Sequence, residues 1–116
     1  MQLGNSPSRR LSSRVQIADG VWVFWKCNSG HEELSRVLDL SLKGLFVETP
    51  KVKPPGINTK LHFLVEEGQI RADAIVRHVR PGSGMGMKFS AISEQDRPHL
   101  AALINRLRGQ ARSSGN

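Results

Sequence analysis

Apolar side chains recur at every second position in stretch after stretch of this chain, and at helical spacing only near its end. That contrast constrains the fold most, because a period of two builds a pleated strand with one buried face, whereas 3.6 builds a helix. In the longest stretch, Ile70, Ala72, Ala74 and Val76 share one face, opposite Arg71, Asp73 and Arg77. Thr59 to Glu66 sets Leu61, Phe63 and Val65 against His62, Leu64 and Glu66. Leu34 to Leu40 reads as a strand with Leu38 and Leu40 facing the core and Asp39 facing away; Gly44–Glu48 and Met85–Phe89 are two more. Val21-Trp22-Val23-Phe24-Trp25 is apolar on both faces, which predicts a strand covered on both sides. Its two tryptophans, three apart, must point opposite ways, so at least one belongs to the core.

Turn residues separate these stretches. Pro50 to Gly56 holds three prolines, which no central strand accommodates. Glu67-Gly68 and Pro81-Gly82-Ser83-Gly84 are turns. From Ser93 the pattern changes: Leu100, Leu103, Ile104 and Leu107 recur at helical spacing, Ser93 and Asp96 resemble a capping box, and a helix is predicted over about 94–108. Pro98 is tolerated only near the helix start, so a short first turn should lead into the main helix. Many short strands with turns between them point to a sandwich or barrel, against which the helix would pack. Met1 to about Arg14 is polar and reads as a mobile arm, residues 1–8 lying outside a single domain of 9–108; 109–116 read as a disordered tail.

The formal net charge is +7 and arginine outnumbers lysine, which favours anionic partners and planar, forked recognition of them. The lone Cys27 permits no internal disulfide, no apolar run suggests membrane insertion and no secretion signal is visible, which together read as cytoplasmic. His31, His62, His78 and His99 are scattered without metal-ligand spacing, no nucleophile elbow occurs, and nothing makes a case for an enzyme or a cofactor.

Two motifs carry the chemistry. Arg10 and Arg14 form R-x-x-x-R, and Asp39-Leu40-Ser41-Leu42-Lys43-Gly44 forms D-x-S-x-x-G. On a strand, Asp39 and Ser41 project from the same face, while Gly44 suits a tight reversal with a positive backbone dihedral. Cationic forks, a carboxylate and a hydroxyl suit an anionic ligand with a hydrogen-bonding base edge. Arg108 and Arg112 repeat the arginine spacing but read as a solvated helix end.

With these residues, the stretch from about Ser8 to Arg108 resembles the PilZ domain, a bacterial receptor module for cyclic di-GMP. Arg9-Arg10-Leu11-Ser12-Ser13-Arg14 is similar to that family's arginine motif, and Asp39 to Gly44 to its D/N-x-S-x-x-G. Gly44 to Thr49 resembles the strand after the turn, and Gly84-Met85-Gly86-Met87-Lys88-Phe89 the strand that closes the barrel. The resemblance implies an all-β antiparallel barrel of about six strands with a C-terminal helix. It implies that Arg10, Arg14 and Asp39 read guanine and phosphate, that Ser41 and Gly44 complete the rim, and that Arg9 stacks or contacts phosphate. It also implies a downstream protein partner. The alternatives are a small basic barrel binding single-stranded nucleic acid, against which the scarcity of aromatics argues, and a PilZ fold used for protein–protein contact alone.

Overall fold

The computed structural model describes residues 13–17, 20–28 and 30–114, with side chains to Gln110. Seven strands appear in order: β1 (Val15–Gln16), β2 (Trp22–Cys27), β3 (Glu33–Leu40), β4 (Gly44–Glu48), β5 (Asn58–Leu64), β6 (Ile70–Arg80) and β7 (Gly84–Ile92). One helix, α1 (Arg97–Ser114), follows. Every pairing is antiparallel, and the order β3-β2-β5-β6-β7-β4 closes through β3–β4 into a six-stranded barrel. Closure leaves the six strands without a free sheet edge along most of their length. The short β1 pairs with the second half of β3, beyond the segment that β2 occupies.

The period-two faces found in the sequence fill the barrel. Val23, Trp25, Val37, Leu40, Leu45, Val47, Leu61, Phe63, Ile70, Ala74, Val76, Met85 and Met87 form one buried cluster with Leu100, Leu103, Ile104 and Leu107 of α1. Trp25 is the largest side chain inside, and its Nε1 donates to the buried Ser35 hydroxyl at 2.8 Å, so the indole N–H is satisfied without water. Trp22 faces the other way and is 41 % exposed. Among the described residues the expected double-sided cover of Val21–Trp25 is not found: on the outer face of β2, Trp22 is exposed and Phe24 half-buried. Leu38 also departs from expectation. A register shift between Val37 and Asp39 places a bulge at Leu38, so Val37 and Leu40 both point inward while Leu38 is half-buried.

The helix is entered through a turn. Asp96 N donates to the Ser93 hydroxyl at 3.1 Å, and the Ser93 carbonyl accepts from Arg97 N at 3.0 Å. The reciprocal half of a capping box is missing, because the buried Asp96 carboxylate accepts from Arg71 N at 3.0 Å and ties the helix start to β6. Pro98 falls in the first turn of α1, where its missing N–H costs nothing. The helix continues to Ser114, past residue 109 where the tail was expected to begin. Gly109 weakens it by about 1 kcal/mol, but Arg108, Gln110, Ala111 and Arg112 around it are good helix formers and Leu107 is fixed in the core. At the β5–β6 turn, Arg106 Nε and Nη2 donate to the Glu67 carboxylate at 2.5 and 3.2 Å. That fork holds the Glu67 carboxyl below its ordinary pKa, against the opposing push of burial.

Candidate functional site

Val15 pairs with Leu40 and Gln16 with Asp39. Buried Val15 anchors β1, and the residue just before it, Arg14, meets Asp39: Nη1 donates to Oδ1 at 2.5 Å. The two motifs, 25 residues apart, are thus joined directly by an ion pair. Arg14 therefore stands at the root of an anchored strand and does not belong to a mobile arm. Its side chain is 45 % exposed and that of Asp39 18 %, so both reach the surface and the pair itself adds little to stability. Arg9 and Arg10 lie outside the described residues.

The bulge at Leu38 turns Asp39 outward while Leu40 stays in the core. Ser41 follows the strand and is buried; its hydroxyl accepts from Lys43 N at 3.0 Å, and its own N donates to Gly44 O at 2.9 Å. Ser41 therefore does not stand beside Asp39 on a strand face, and its hydroxyl shapes the turn that presents Asp39. Gly44 is required for a reason other than the expected one. Positive backbone dihedrals occur at Gly20, Gly56, Gly68 and Gly82 but not there. A Cβ at Gly44 would instead lie 2.1 Å from the Met87 carbonyl oxygen of the neighbouring strand.

Strand register extends the site across the barrel wall. Asp39 is opposite Phe46, Phe46 opposite Gly86, and Gly86 opposite His78. This row crosses β3, β4, β7 and β6. Phe46 and His78 approach with ring centroids 5.9 Å apart, tilted by 30°, and the Arg80 guanidinium lies 4.8 Å from the Phe46 centroid. A Cβ at Gly86 would sit 2.3 Å from His78 Cε1, so the glycine leaves the floor low enough for the imidazole to lie across it. Phe46 is covered, while His78 and Arg80 are exposed. The outer face thus runs from a forked cation and a carboxylate, over an aromatic floor, to an imidazole and a second guanidinium. Such a surface can stack a planar base, hydrogen-bond its edge and neutralise phosphate.

The sequence did not single out Phe46, Arg80 or Gly86 as site residues, and placed His78 only among histidines without metal-ligand spacing. Signals existed: Phe46 sits between inward Leu45 and Val47, and Gly84-x-Gly86 clears the adjacent strand. Arg108 also requires correction. It is half-buried, not solvated, and its Nη2 donates to the Ser13 carbonyl at 3.2 Å, tying α1 to the residue before Arg14. Among the described residues no three His, Cys, Asp or Glu side chains gather to hold a metal.

The family model of the PilZ domain matches residues 8–106. The chain belongs to the PilZ domain family. Among solved structures, this PilZ chain is similar to the "PilZ domain with c-di-GMP of YcgR from Escherichia coli", with 19 % identity, a TM-score of 0.69, and coverage of 89 % of this chain and 94 % of that one. It is also similar to the K. pneumonia MrkH–c-di-GMP complex (17 % identity, TM-score 0.72, 88 % of this chain and 53 % of that one). A third similarity is to the Bacillus subtilis inhibitor of motility MotI/DgrA (19 %, 0.68, 84 % and 51 %). The PilZ chain spans about half the length of those last two proteins. At these identities the likeness establishes the barrel fold. No curated protein matched the sequence.

Proposed function

We propose that this PilZ domain is a receptor for cyclic di-GMP that reports occupancy to a protein partner. The observation that carries the reading is the Arg14–Asp39 pair, held on the same outer row as Phe46 and His78. Asp39 accepts from Arg14 through Oδ1, and its carboxylate carries a second oxygen able to accept from guanine N1–H and N2–H₂, donors that adenine does not present there. Arg14 offers the remainder of its fork to guanine O6 and N7 or to a phosphodiester, a contact worth about 1–3 kcal/mol against the wrong base. Arg80 and His78 supply charge and a ring face at the far end of the row. Ser41 and Gly44 act through the turn that aims Asp39.

The proposed switch concerns what precedes Ser13, since Arg14 stands at the root of β1 and pairs with Asp39. Ligand would fix Arg9 and Arg10 over the row, and the new surface so made would be read by the partner. Ordering of that kind uses about 2–5 kcal/mol of the gross interaction. Calorimetric titration with cyclic di-GMP, cyclic di-AMP and an unstructured oligonucleotide, at low and high salt, tests the ligand. Guanine selectivity that disappears in Arg14→Ala is the expected result. A steep salt slope on the oligonucleotide with no guanine preference would assign the barrel to single strands instead.

A further inference from the structure

The ligand row leaves β2 and β5 unused, yet their outer face is the most apolar part of the described surface. Register sets Trp22 between Arg36 and Leu64, and Phe24 between Leu34 and His62. Trp22, Leu34 and Leu64 are 41, 49 and 45 % exposed, and with half-buried Phe24 they make one continuous strip over β3, β2 and β5. The fold does not need them there, because Trp25 and Phe63 already fill the interior. An exposed tryptophan flanked by leucines is the composition of an interface anchor.

Beside the strip, a cleft of about 390 Å³ is walled by Phe24, Lys26, Lys60, His62 and Arg71, with Glu32 and Asp73. Lys60 already bridges Asp73 at 3.1 Å, which leaves Lys26 and Arg71 opposite Glu32. Arg71 stays 64 % exposed although its Nε lies 4.0 Å from Asp96. In the wall itself Lys26, Lys60 and Arg71 outnumber Glu32 and Asp73 by one charge.

We propose that the outer face of β3-β2-β5 is the docking surface for an acidic amphipathic segment of a partner protein. The apolar side of that segment lies on Trp22, Leu34 and Leu64, and its carboxylates reach Lys26 and Arg71 in the cleft. A second copy of this chain fits less well, because pairing the face with itself sets one excess of cations, Lys26 and Arg71 over Glu32, against the same excess. The proposal rests on the relay half of the receptor reading and not on its ligand half. Docking is therefore measured without cyclic di-GMP, and a failed nucleotide titration leaves it standing.

The test uses two dansyl-labelled helical peptides with identical leucine positions, one with glutamate and one with lysine at the polar positions, followed by anisotropy. The glutamate peptide should bind roughly tenfold more tightly than the lysine peptide at low salt and lose that advantage at high salt. Emission from exposed Trp22 should shift on binding, because Trp25 is sealed in the core. The double variant Trp22→Ser, Leu64→Ser should lose binding of the glutamate peptide with its melting curve retained, since both side chains are on the surface. Lys26→Glu with Arg71→Glu should invert the peptide preference. Equal binding of the two peptides, binding of neither, or binding that survives the serine pair would overturn the proposal. So would a dimer seen by sedimentation that Trp22→Ser disperses, which gives the face to a second copy. Displacement of the glutamate peptide by an oligonucleotide, with loss of the oligonucleotide's binding in Lys26→Glu, would give it to nucleic acid.

Discussion

Arg108→Ala should weaken cyclic di-GMP binding although Arg108 reads from sequence as a solvated helix end. In the structure Arg108 Nη2 holds the Ser13 carbonyl at 3.2 Å, and the next residue, Arg14, is the one paired with Asp39. Loss of the tether frees the backbone just before Arg14, while the β1–β3 pairing at Val15 and Gln16 remains. Fixing one residue's backbone costs about 1–2 kcal/mol, and the ligand must then supply what α1 had supplied. At 1.4 kcal/mol per factor of ten, Kd should rise roughly 5- to 30-fold. The stability of the free barrel should fall by about 1 kcal/mol for each ordinary hydrogen bond that Arg108 gives up. Calorimetry and urea melts on wild type, Arg108→Ala and Arg108→Lys separate these effects, with Arg108→Lys intermediate because an ammonium keeps the charge but not the fork. An unchanged Kd in Arg108→Ala would refute the tether. A loss as complete as that of Arg14→Ala would make Arg108 a direct ligand contact instead.

Three further perturbations test the geometry. Gly44→Ala forces a Cβ against the Met87 backbone, so it should cost about 1–3 kcal/mol or more in a thermal melt, whereas Gly86→Ala meets only the movable His78 ring and should chiefly weaken ligand binding. Trp25→Phe strands the buried Ser35 hydroxyl and should destabilise by about 1–3 kcal/mol beyond the lost volume, a part that Ser35→Ala recovers in a double-mutant cycle. Arg106 lowers the folded pKa of Glu67, so this pair's stabilisation is present above the ordinary carboxylate pKa and is lost as pH falls through the depressed folded value. Urea melts taken from neutral pH into that acid range should show the loss, and Glu67→Gln should flatten it.

The sequence made the barrel strands readable because each needs an unbroken inward face, and period two reports that face directly. What it hid follows from geometry that no spacing encodes. The bulge at Leu38 reverses the strand's phase without a residue that announces it, so Leu38 seemed equivalent to Leu40. Two residues of β1 are too short to show any period, so Arg14 looked detached from the barrel. Asp39, Phe46 and His78 become neighbours through register across strands distant in sequence, and a single chain's pattern contains no register. Gly44 was legible as a necessary glycine, but turn conformation and close strand approach ask for the same residue.

β3 divides one of its edges between two partners, β2 along its first half and β1 along its second, while its other edge seals the barrel against β4. Detaching β1 would break its two-residue ladder and the Ile17 N to Leu38 O bond and uncover Val15 and Ile17, but it would leave β3 paired with β2 and β4. If Arg14 meets the ligand as proposed, its release from so short a splice would leave the six-stranded container beneath it shut. A receptor of that proposed kind would reset without unfolding its barrel.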